Sequence, residues 1–199
     1  MSRTESKESL RARNSLSLLL GLIALGAVLL TVSSFIAVPI GPVPITMQTL
    51  TVTSIGALYG WRLGAGTVLI WLGLGALGLP VFSSGSGGVE HLSGATAGYL
   101  WAFPVAAGVT GALVARGWDV DHKAWAFAAM GIGNLVCLTL GAGWLAGQIG
   151  FDRAFDVGFA PFLPGAGVKA GLGVGVLMAA RRFGWRGSRN VSEQTSPFG

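Results

Sequence analysis

The feature that most constrains this chain is the absence of charge from long stretches of it. Residues 14 to 61 contain no Asp, Glu, Lys or Arg, and neither do residues 63 to 89, 91 to 115 and 124 to 151. A transmembrane helix needs about 20 consecutive, mainly apolar residues. Charged residues make up only 11% of the chain, whereas soluble domains have about 25%. The sequence therefore predicts an integral membrane protein.

Prolines and charges divide these stretches into six predicted transmembrane helices. Pro39, Pro42 and Pro44 interrupt the first stretch, because proline has no backbone N–H and disfavours helix at the residue before it. Pro80 ends the third helix, and Pro104 predicts a kink in the fourth. The second helix is short and rich in Thr, so we expect neighbouring helices to shield it from lipid. The six predicted helices are residues 15–37, 46–59, 63–79, 95–115, 124–149 and 165–180.

The basic residues predict the orientation of this all-α bundle. With both tails in the cytosol, eleven of the thirteen Lys and Arg residues lie at cytosolic ends of helices, as the positive-inside rule requires. These residues are Arg3, Lys7, Arg11, Arg13, Arg62, Arg116, Lys123, Arg181, Arg182, Arg186 and Arg189. They are interpreted as topology anchors, not as a nucleic-acid footprint. The predicted plan is a cytosolic tail at 1–14, a six-helix domain at 15–183 and a cytosolic tail at 184–199, with both tails lacking regular structure.

Lys169 is the residue that this topology places inside the membrane. An ionisable residue at mid-bilayer costs about 3 kcal/mol or more and is a functional candidate by default. It follows the predicted start of the sixth helix by about one turn, where unpaired N–H groups and the helix dipole favour an outward-facing site for an anion or carbonyl. The alternative is a lysine that snorkels to the outer headgroups. No acidic residue lies within helical reach, so its partner is either distant in sequence or a ligand.

Other polar and aromatic residues are weaker site candidates. Thr46 and Gln48 open the polar second helix and point to a site, although hydrogen bonds between helices would also explain them. The Gly- and Ser-rich connection at 83–88 allows close backbone approach to a ligand, or is a plain mobile outer loop. Tyr99, Asn134 and Gln148 belong to the same polar class, and the candidates for aromatic pocket walls are Trp71, Trp101 and Trp144.

Motifs of several enzyme classes are missing from the sequence. It contains no G-x-x-x-x-G-K-[ST], no H-E-x-x-H and no G-x-S-x-G, which argues against nucleotide hydrolysis, zinc proteolysis and serine hydrolysis of those types. The lone Cys137 excludes a disulfide framework and a Cys-based metal cluster. We therefore expect no metal, no cofactor and no catalytic residues.

Four segments, in this order, carry a resemblance to a known family. They are Gly41-Pro-Val-Pro-Ile-Thr-Met-Gln-Thr-Leu50, Leu72-Gly-Leu-Gly-Ala-Leu-Gly-Leu-Pro-Val-Phe82, Gly85-Ser-Gly-Gly-Val with Gly94-Ala-Thr-Ala-Gly-Tyr99, and Pro161-Phe-Leu-Pro-Gly-Ala-Gly-Val-Lys169. The chain resembles the BioY family, the substrate-binding (S) components of biotin transporters of the energy-coupling-factor type. The resemblance implies a six-helix fold with an outward-facing pocket for one biotin, closed by the loops after helices one and three.

The resemblance also implies which residues bind the substrate. It points to Gln48, Gly87, Gly88, Tyr99 and Lys169 as pocket-lining residues, and Thr46 and Phe82 complete the set that we predict to bind substrate. One position departs from the family, which usually has an acidic residue three positions before the lysine, where this chain has Ala166. That departure keeps open an alternative, an S component for another small vitamin-like anion. An intramembrane enzyme and a structural membrane subunit are the alternatives from other classes.

The resemblance finally implies partners and a location. An S component in a prokaryotic cell membrane works with a transmembrane coupling subunit and two cytosolic ATPases, which would supply the missing nucleotide chemistry. Small residues on helix one form the interface with that subunit in this class of protein. Here the candidates are Ala24, Ala27 and Thr31, with Ala27-x-x-x-Thr31 as a close-packing pair.

Overall fold

The computed structural model describes residues 3–38 and 43–185, and within them it is helical apart from connecting loops and one small hairpin. The helices are α1 (Arg3–Phe35), α2 (Gln48–Tyr59), α3 (Trp61–Ala76), α4 (Ala97–Ala115), α5 (Lys123–Ile149), the one-turn α6 (Phe151–Ala154) and α7 (Leu163–Arg182). The strands are β1 (Ala37–Val38) and β2 (Ile45–Thr46). All six predicted helices are present, and α4 runs unbroken through Pro104. The prediction of an all-α membrane bundle is confirmed.

Helix α1 is longer than predicted. It begins at Arg3, not at residue 15, so residues 3–14 are helical and the prediction of an irregular N-terminal tail is wrong there. That segment contains Glu, Lys, Leu, Arg and Ala, which are good helix formers. The apolar part, Ser15–Phe35, is the part that is suited to a membrane. The C-terminal tail predicted from residue 184 lies outside the described residues from residue 186 onwards.

A short β-hairpin occupies the position at which the second helix was predicted to begin. Thr46 lies in β2 and pairs with Ala37 of β1 in antiparallel register, so α2 starts two residues later than predicted. The β-branched residues around Pro44 favour extended backbone over helix. Pro39 and Pro42, which also indicated an interruption between the first two helices, lie outside the described residues.

Within the part of the chain that the structure describes, four segments are long and apolar enough, by length and composition, to cross a membrane. They are Ser15–Phe35, Ala97–Ala115, Val120–Ile149 and Phe151–Arg182. At 1.5 Å per residue, α2 and α3 are about 18 and 24 Å long, less than the roughly 30 Å of a hydrocarbon core. Every residue of α2 is buried or half-buried, as expected of a polar helix that neighbouring helices shield. Gly60, whose φ of 81° favours glycine, joins α2 directly to α3.

Helix α4 occupies the centre of the bundle, where it packs against α2, α3 and α5. Glycines allow these helices to approach one another closely. A Cβ on Gly56 of α2 would overlap the backbone carbonyl of Ala107, and a Cβ on Gly141 of α5 would overlap the ring of Tyr99. The hydrophobic effect does not drive helices together in lipid, so close packing contacts of this kind stabilise their association. Tyr99 is thereby fixed between two helices.

Candidate ligand-binding site

A partly enclosed cavity of about 270 Å³ lies among the hairpin, the loop after α3, and helices α2, α4, α5 and α7. Pockets for small molecules have volumes of about 300 to 1,000 Å³, so this one suits a compact ligand. Its apolar and aromatic wall consists of Val43, Pro44, Phe82, Leu100, Phe103, Cys137, Leu138, Phe162 and Ala166. Its polar lining consists of Thr46, Gln48, Thr49, Ser83, Ser84, Ser86, His91, Thr96, Tyr99, Asn134 and Lys169.

Five of the seven residues predicted to bind substrate line this cavity. They are Thr46, Gln48, Phe82, Tyr99 and Lys169. Gly87 and Gly88 do not line it. The Gly88 N–H donates to the carbonyl oxygen of Gly75 at 2.7 Å, and its φ of 110° requires a glycine. Gly87 lies so close to the carbonyl of Leu79 that a Cβ would overlap it. In the structure Gly88 holds the loop against α3, and Gly87 packs on the residues that directly follow α3.

Lys169 meets a hydroxyl group on another helix. Its Nζ donates to Oγ1 of Thr49 at 3.0 Å, and the side chain is only 8% exposed, so it does not reach solvent in the manner of a snorkelling lysine. Helix α7 starts at Leu163, which places Lys169 nearly two turns inside it rather than one. The helix N-terminus that Lys169 faces is therefore that of α2, where Thr49 is the second residue.

Gln48 presents an unused donor at the same end of α2. Its Oε1 accepts from Oγ1 of Thr46 at 2.9 Å, and this bond holds the amide in place. Its Nε2 is buried without a hydrogen-bond partner among the described residues, and the residue as a whole is 4% exposed. A buried unpaired donor costs about 1 to 3 kcal/mol, so one that lines a cavity indicates a ligand with an acceptor group.

Asn134 and Tyr99 supply polar groups from the two central helices. Asn134 is 1% exposed, and its Nδ2 donates to the Met130 carbonyl at 2.9 Å, which leaves Oδ1 as an acceptor without a partner among the described residues. The hydroxyl of Tyr99 donates to the Gly158 carbonyl at 2.7 Å, and its ring stacks near Phe162 with centroids 6.4 Å apart. Asn134 was a weaker candidate in the sequence analysis, because the sequence of an apolar helix does not indicate the direction in which an Asn side chain points.

Phe82 forms a fixed aromatic wall where the loop leaves α3. Its ring fills the space left by the missing side chain of Gly75 and meets Trp71 edge-on at 5.2 Å. Oγ of Ser34 contacts the carbonyl oxygens of Val81 and Phe82 at 3.0 and 3.2 Å. Phe82 is therefore held by α1 and α3 together.

The three tryptophans considered for the pocket do not line it. Trp71 is fully buried behind Phe82, and its Nε1 donates to Oγ1 of Thr31 at 3.1 Å. Trp101 and Trp144 are partly exposed and donate to the loop carbonyls of Leu92 and Gly94. These two hydrogen bonds attach the end of the loop to α4 and α5.

The residues predicted for a partner interface do not share one outer face. Ala24 is exposed on α1. Ala27 and Thr31 are half-buried and face inward, where Thr31 donates to the Ala27 carbonyl and accepts from Trp71. The outer face of α1 carries large apolar side chains instead, at Leu16, Leu20, Leu25, Val28, Leu29 and Val32.

The cavity has one strong cation and lacks an acidic wall. Of the described residues that line it, none is Asp or Glu, and Ala166 stands one turn before Lys169. Among the described residues there is also no group of three His, Cys, Asp or Glu side chains suited to a metal ion. The polar groups that line the cavity are thus an ammonium, amides, hydroxyls and the imidazole of His91.

The fold and the site define a class: helical membrane proteins with a ligand-sized cavity between the helices. The sequence profile of the BioY family matches residues 5–185. This chain belongs to the BioY family, as its motifs indicated.

Several named proteins are similar to the chain. The probable biotin transporter BioY of Pyrococcus horikoshii is 41% identical over 153 residues, covering 77% of this chain and 90% of that protein. The biotin transporter BioY2 of Lactococcus lactis is 38% identical over 72% of this chain and 79% of its own length. The crystal structure of an S-component for biotin from an ECF-type ABC transporter superposes with a TM-score of 0.76 over 92% of this chain and 95% of that one. At 24% identity this likeness establishes the fold.

Proposed function

We propose that this chain binds biotin in the cavity beside Lys169 and carries it into the cell as the S component of an energy-coupling-factor transporter. The observation that carries the proposal is a buried lysine whose described partner is a neutral hydroxyl, in a cavity that suits a compact acid. Biotin has a flat fused ring system, a ureido group and a carboxylate, which match an aromatic wall, amide groups and an ammonium. The similar proteins named above are biotin transporters or a biotin S-component.

Two groups of polar contacts follow from this assignment. Lys169, Thr49 and Gln48 at the N-terminus of α2 present donors to the carboxylate. Asn134 Oδ1 presents an acceptor to a ureido N–H, and Phe82 and Tyr99 contact the rings. No carboxylate side chain among the described cavity residues competes with the ligand for Lys169.

We further propose that all six helices cross the membrane and that both termini are cytosolic. Arg181 forms an ion pair with Asp121, with N–O distances of 2.7 and 2.8 Å, which brings the end of α7 beside the α4–α5 connection. Gly111 near the end of α4 packs on the backbone of the α2–α3 junction at Gly60. The basic residues Arg62, Arg116 and Lys123 therefore lie towards one end of the bundle, which supports placing that end in the cytosol.

Transport without catalytic chemistry is the function we propose over an intramembrane enzyme or a purely structural subunit. The names of the similar proteins denote transporters, and the chain has no nucleotide-hydrolysis motif of its own. A transmembrane coupling subunit and two cytosolic ATPases are accordingly the partners we propose. Uptake of labelled biotin should rise when such a module is co-expressed, and should fall to the background level when its ATPases are inactivated by mutation.

Calorimetry with the purified chain tests the substrate. Biotin should bind with one-to-one stoichiometry, and lipoate and nicotinate should compete weakly. Absence of biotin binding would contradict the substrate assignment. A stronger competitor among vitamin-like anions would instead favour an S component for that anion. Ala166 keeps this alternative open, because it stands where the family usually has an acidic residue.

A further inference from the structure

The charge of Lys169 is not balanced within the described part of the protein. Its ammonium group donates to the neutral Thr49 hydroxyl, and the residue is 8% exposed. The acidic residues whose side chains the structure describes, Glu90, Asp119, Asp121, Asp152 and Asp156, do not line the cavity. A buried ammonium without a counter-charge is strongly disfavoured. When no ligand is bound, an anion from solution would balance this charge.

The first turn of α2 strengthens the preference for an anion at this point. The N-terminus of this 12-residue helix is the positive end of its dipole, and the N–H groups of Gln48, Leu50 and Thr51 there already have acceptors, namely Thr46 Oγ1 and the Met47 carbonyl. Met47 provides no side-chain cap, and the N–H of Thr49 has no acceptor among the described residues. Helix termini of this kind bind anions. Here the terminus and the ammonium converge on Thr49.

Gln48 provides an independent indication of a bound group. Its Nε2 is buried and unpaired among the described residues, and Gln48 is one of the residues that line the cavity. Because Oε1 already accepts a hydrogen bond from Thr46, the polar group of the amide that is left without any partner is the Nε2 donor. An acceptor without protons, such as a halide ion, would satisfy this group, the Thr49 N–H and the Lys169 ammonium.

We propose that the N-terminus of α2, together with Lys169 and Gln48, binds a small monovalent inorganic anion such as chloride when the vitamin is absent. The carboxylate of the ligand displaces this anion, so ligand binding is an anion exchange; this second step rests on the proposed function. No covalent chemistry is involved, and the net charge of the site stays balanced in both states.

Thermal unfolding of the full chain in detergent tests the anion site without any vitamin. Sodium chloride is exchanged for sodium gluconate at constant ionic strength. The unfolding midpoint should rise with chloride for the wild type and for Lys123→Met, an exposed control, but not for Lys169→Met. A midpoint independent of chloride, or an equal dependence in Lys169→Met, would overturn the proposal.

A second measurement tests the anion site if the Lys169→Met variant does not fold. Crystals of the wild type grown in bromide should show an anomalous peak within hydrogen-bond distance of Lys169 Nζ, and the lack of a peak there would overturn the proposal. The exchange step is tested by biotin titration, in which the apparent Kd should rise roughly threefold or more from gluconate to chloride. A chloride-independent Kd would refute the exchange. Failure of biotin to bind would refute only the proposed substrate, since the unfolding and bromide measurements stand without it.

Discussion

The Nζ of Lys169 and the Oγ1 of Thr49 lie 3.0 Å apart although 120 positions separate the two residues in the chain. This bond joins α7 to the first turn of α2 at the wall of the cavity. It sets the charged end of the site, because the positive end of the α2 dipole and the ammonium act on the same small region. The ligand's anionic group is thereby directed to one end of the cavity.

Replacing Lys169 with Met should weaken biotin binding while keeping the length of the side chain. The loss of a charged donor to the carboxylate is expected to cost about 1 to 3 kcal/mol, a roughly 5- to 150-fold rise in Kd. Calorimetry measures the effect. Lys123→Met, at an exposed position on α5, should bind biotin like the wild type. An unchanged Kd in Lys169→Met would place the carboxylate elsewhere.

Replacing Asn134 with Leu should weaken binding through the ureido end. The shape is nearly kept and one acceptor is lost, so we expect about 1 to 3 kcal/mol. The loss should shrink for a biotin analogue methylated on the ureido nitrogen, and equilibrium binding of both ligands checks this. Thr110→Val removes another buried polar group on a neighbouring helix, where Thr110 donates to the Ala106 carbonyl, and should leave the Kd unchanged. Equal losses for both ligands would argue against a contact between Asn134 and the ureido group.

Replacing Gly75 with Ala should disturb the site from behind the aromatic wall. The new Cβ would overlap the ring of Phe82, which packs edge-on against Trp71, and would displace that ring, so both thermal stability and biotin affinity should fall. Overpacking of this kind typically costs about 1 to 3 kcal/mol. Gly73→Ala is the matched control, because nothing lies within 4 Å of its added Cβ. Equal behaviour of the two variants would show that the Phe82 position is not constrained by Gly75.

Replacing Ala166 with Asp should supply a counter-charge from within the chain. Positions 166 and 169 are three apart on α7 and therefore face the same side of the helix. The unfolding midpoint of Ala166→Asp should no longer depend on chloride, whereas Ala166→Asn, with the same shape and no charge, should keep the dependence. If both variants kept it, the chloride effect would arise away from Lys169.

The helices were predictable because charge and proline mark their ends directly in the sequence. Arg62, Arg116 and Lys123 delimit apolar stretches, and the structure places helix boundaries within a few residues of each. The N-terminal extension of α1 was missed because residues 3–14 are polar, and polarity was read as lack of structure. The β1–β2 hairpin was missed because two paired dipeptides give no periodic pattern.

The site was only partly predictable because its geometry depends on contacts between distant segments. The sequence identified Lys169 as an unpaired cation, but it gave no means of selecting Thr49 among several Thr residues of α2. Gly87 and Gly88 resemble ligand-contacting glycines in composition, yet close backbone packing against α3 and the residues that directly follow it accounts for them. Whether the five cavity-lining residues bind substrate stays a prediction.

The anchoring of the loop after α3 has a consequence for the size of the cargo. The loop is held at Phe82 by Ser34, at Gly88 by the Gly75 carbonyl, and at Gly94 by Trp144. The segments between these anchors are short, so opening the loop widely enough to admit a bulky molecule would require breaking all three contacts. A vitamin still attached to a lysine or a peptide has both a larger volume and an amide in place of its carboxylate. The chain should therefore take up the free acid and discriminate against its conjugates, which makes prior release from protein a condition for uptake.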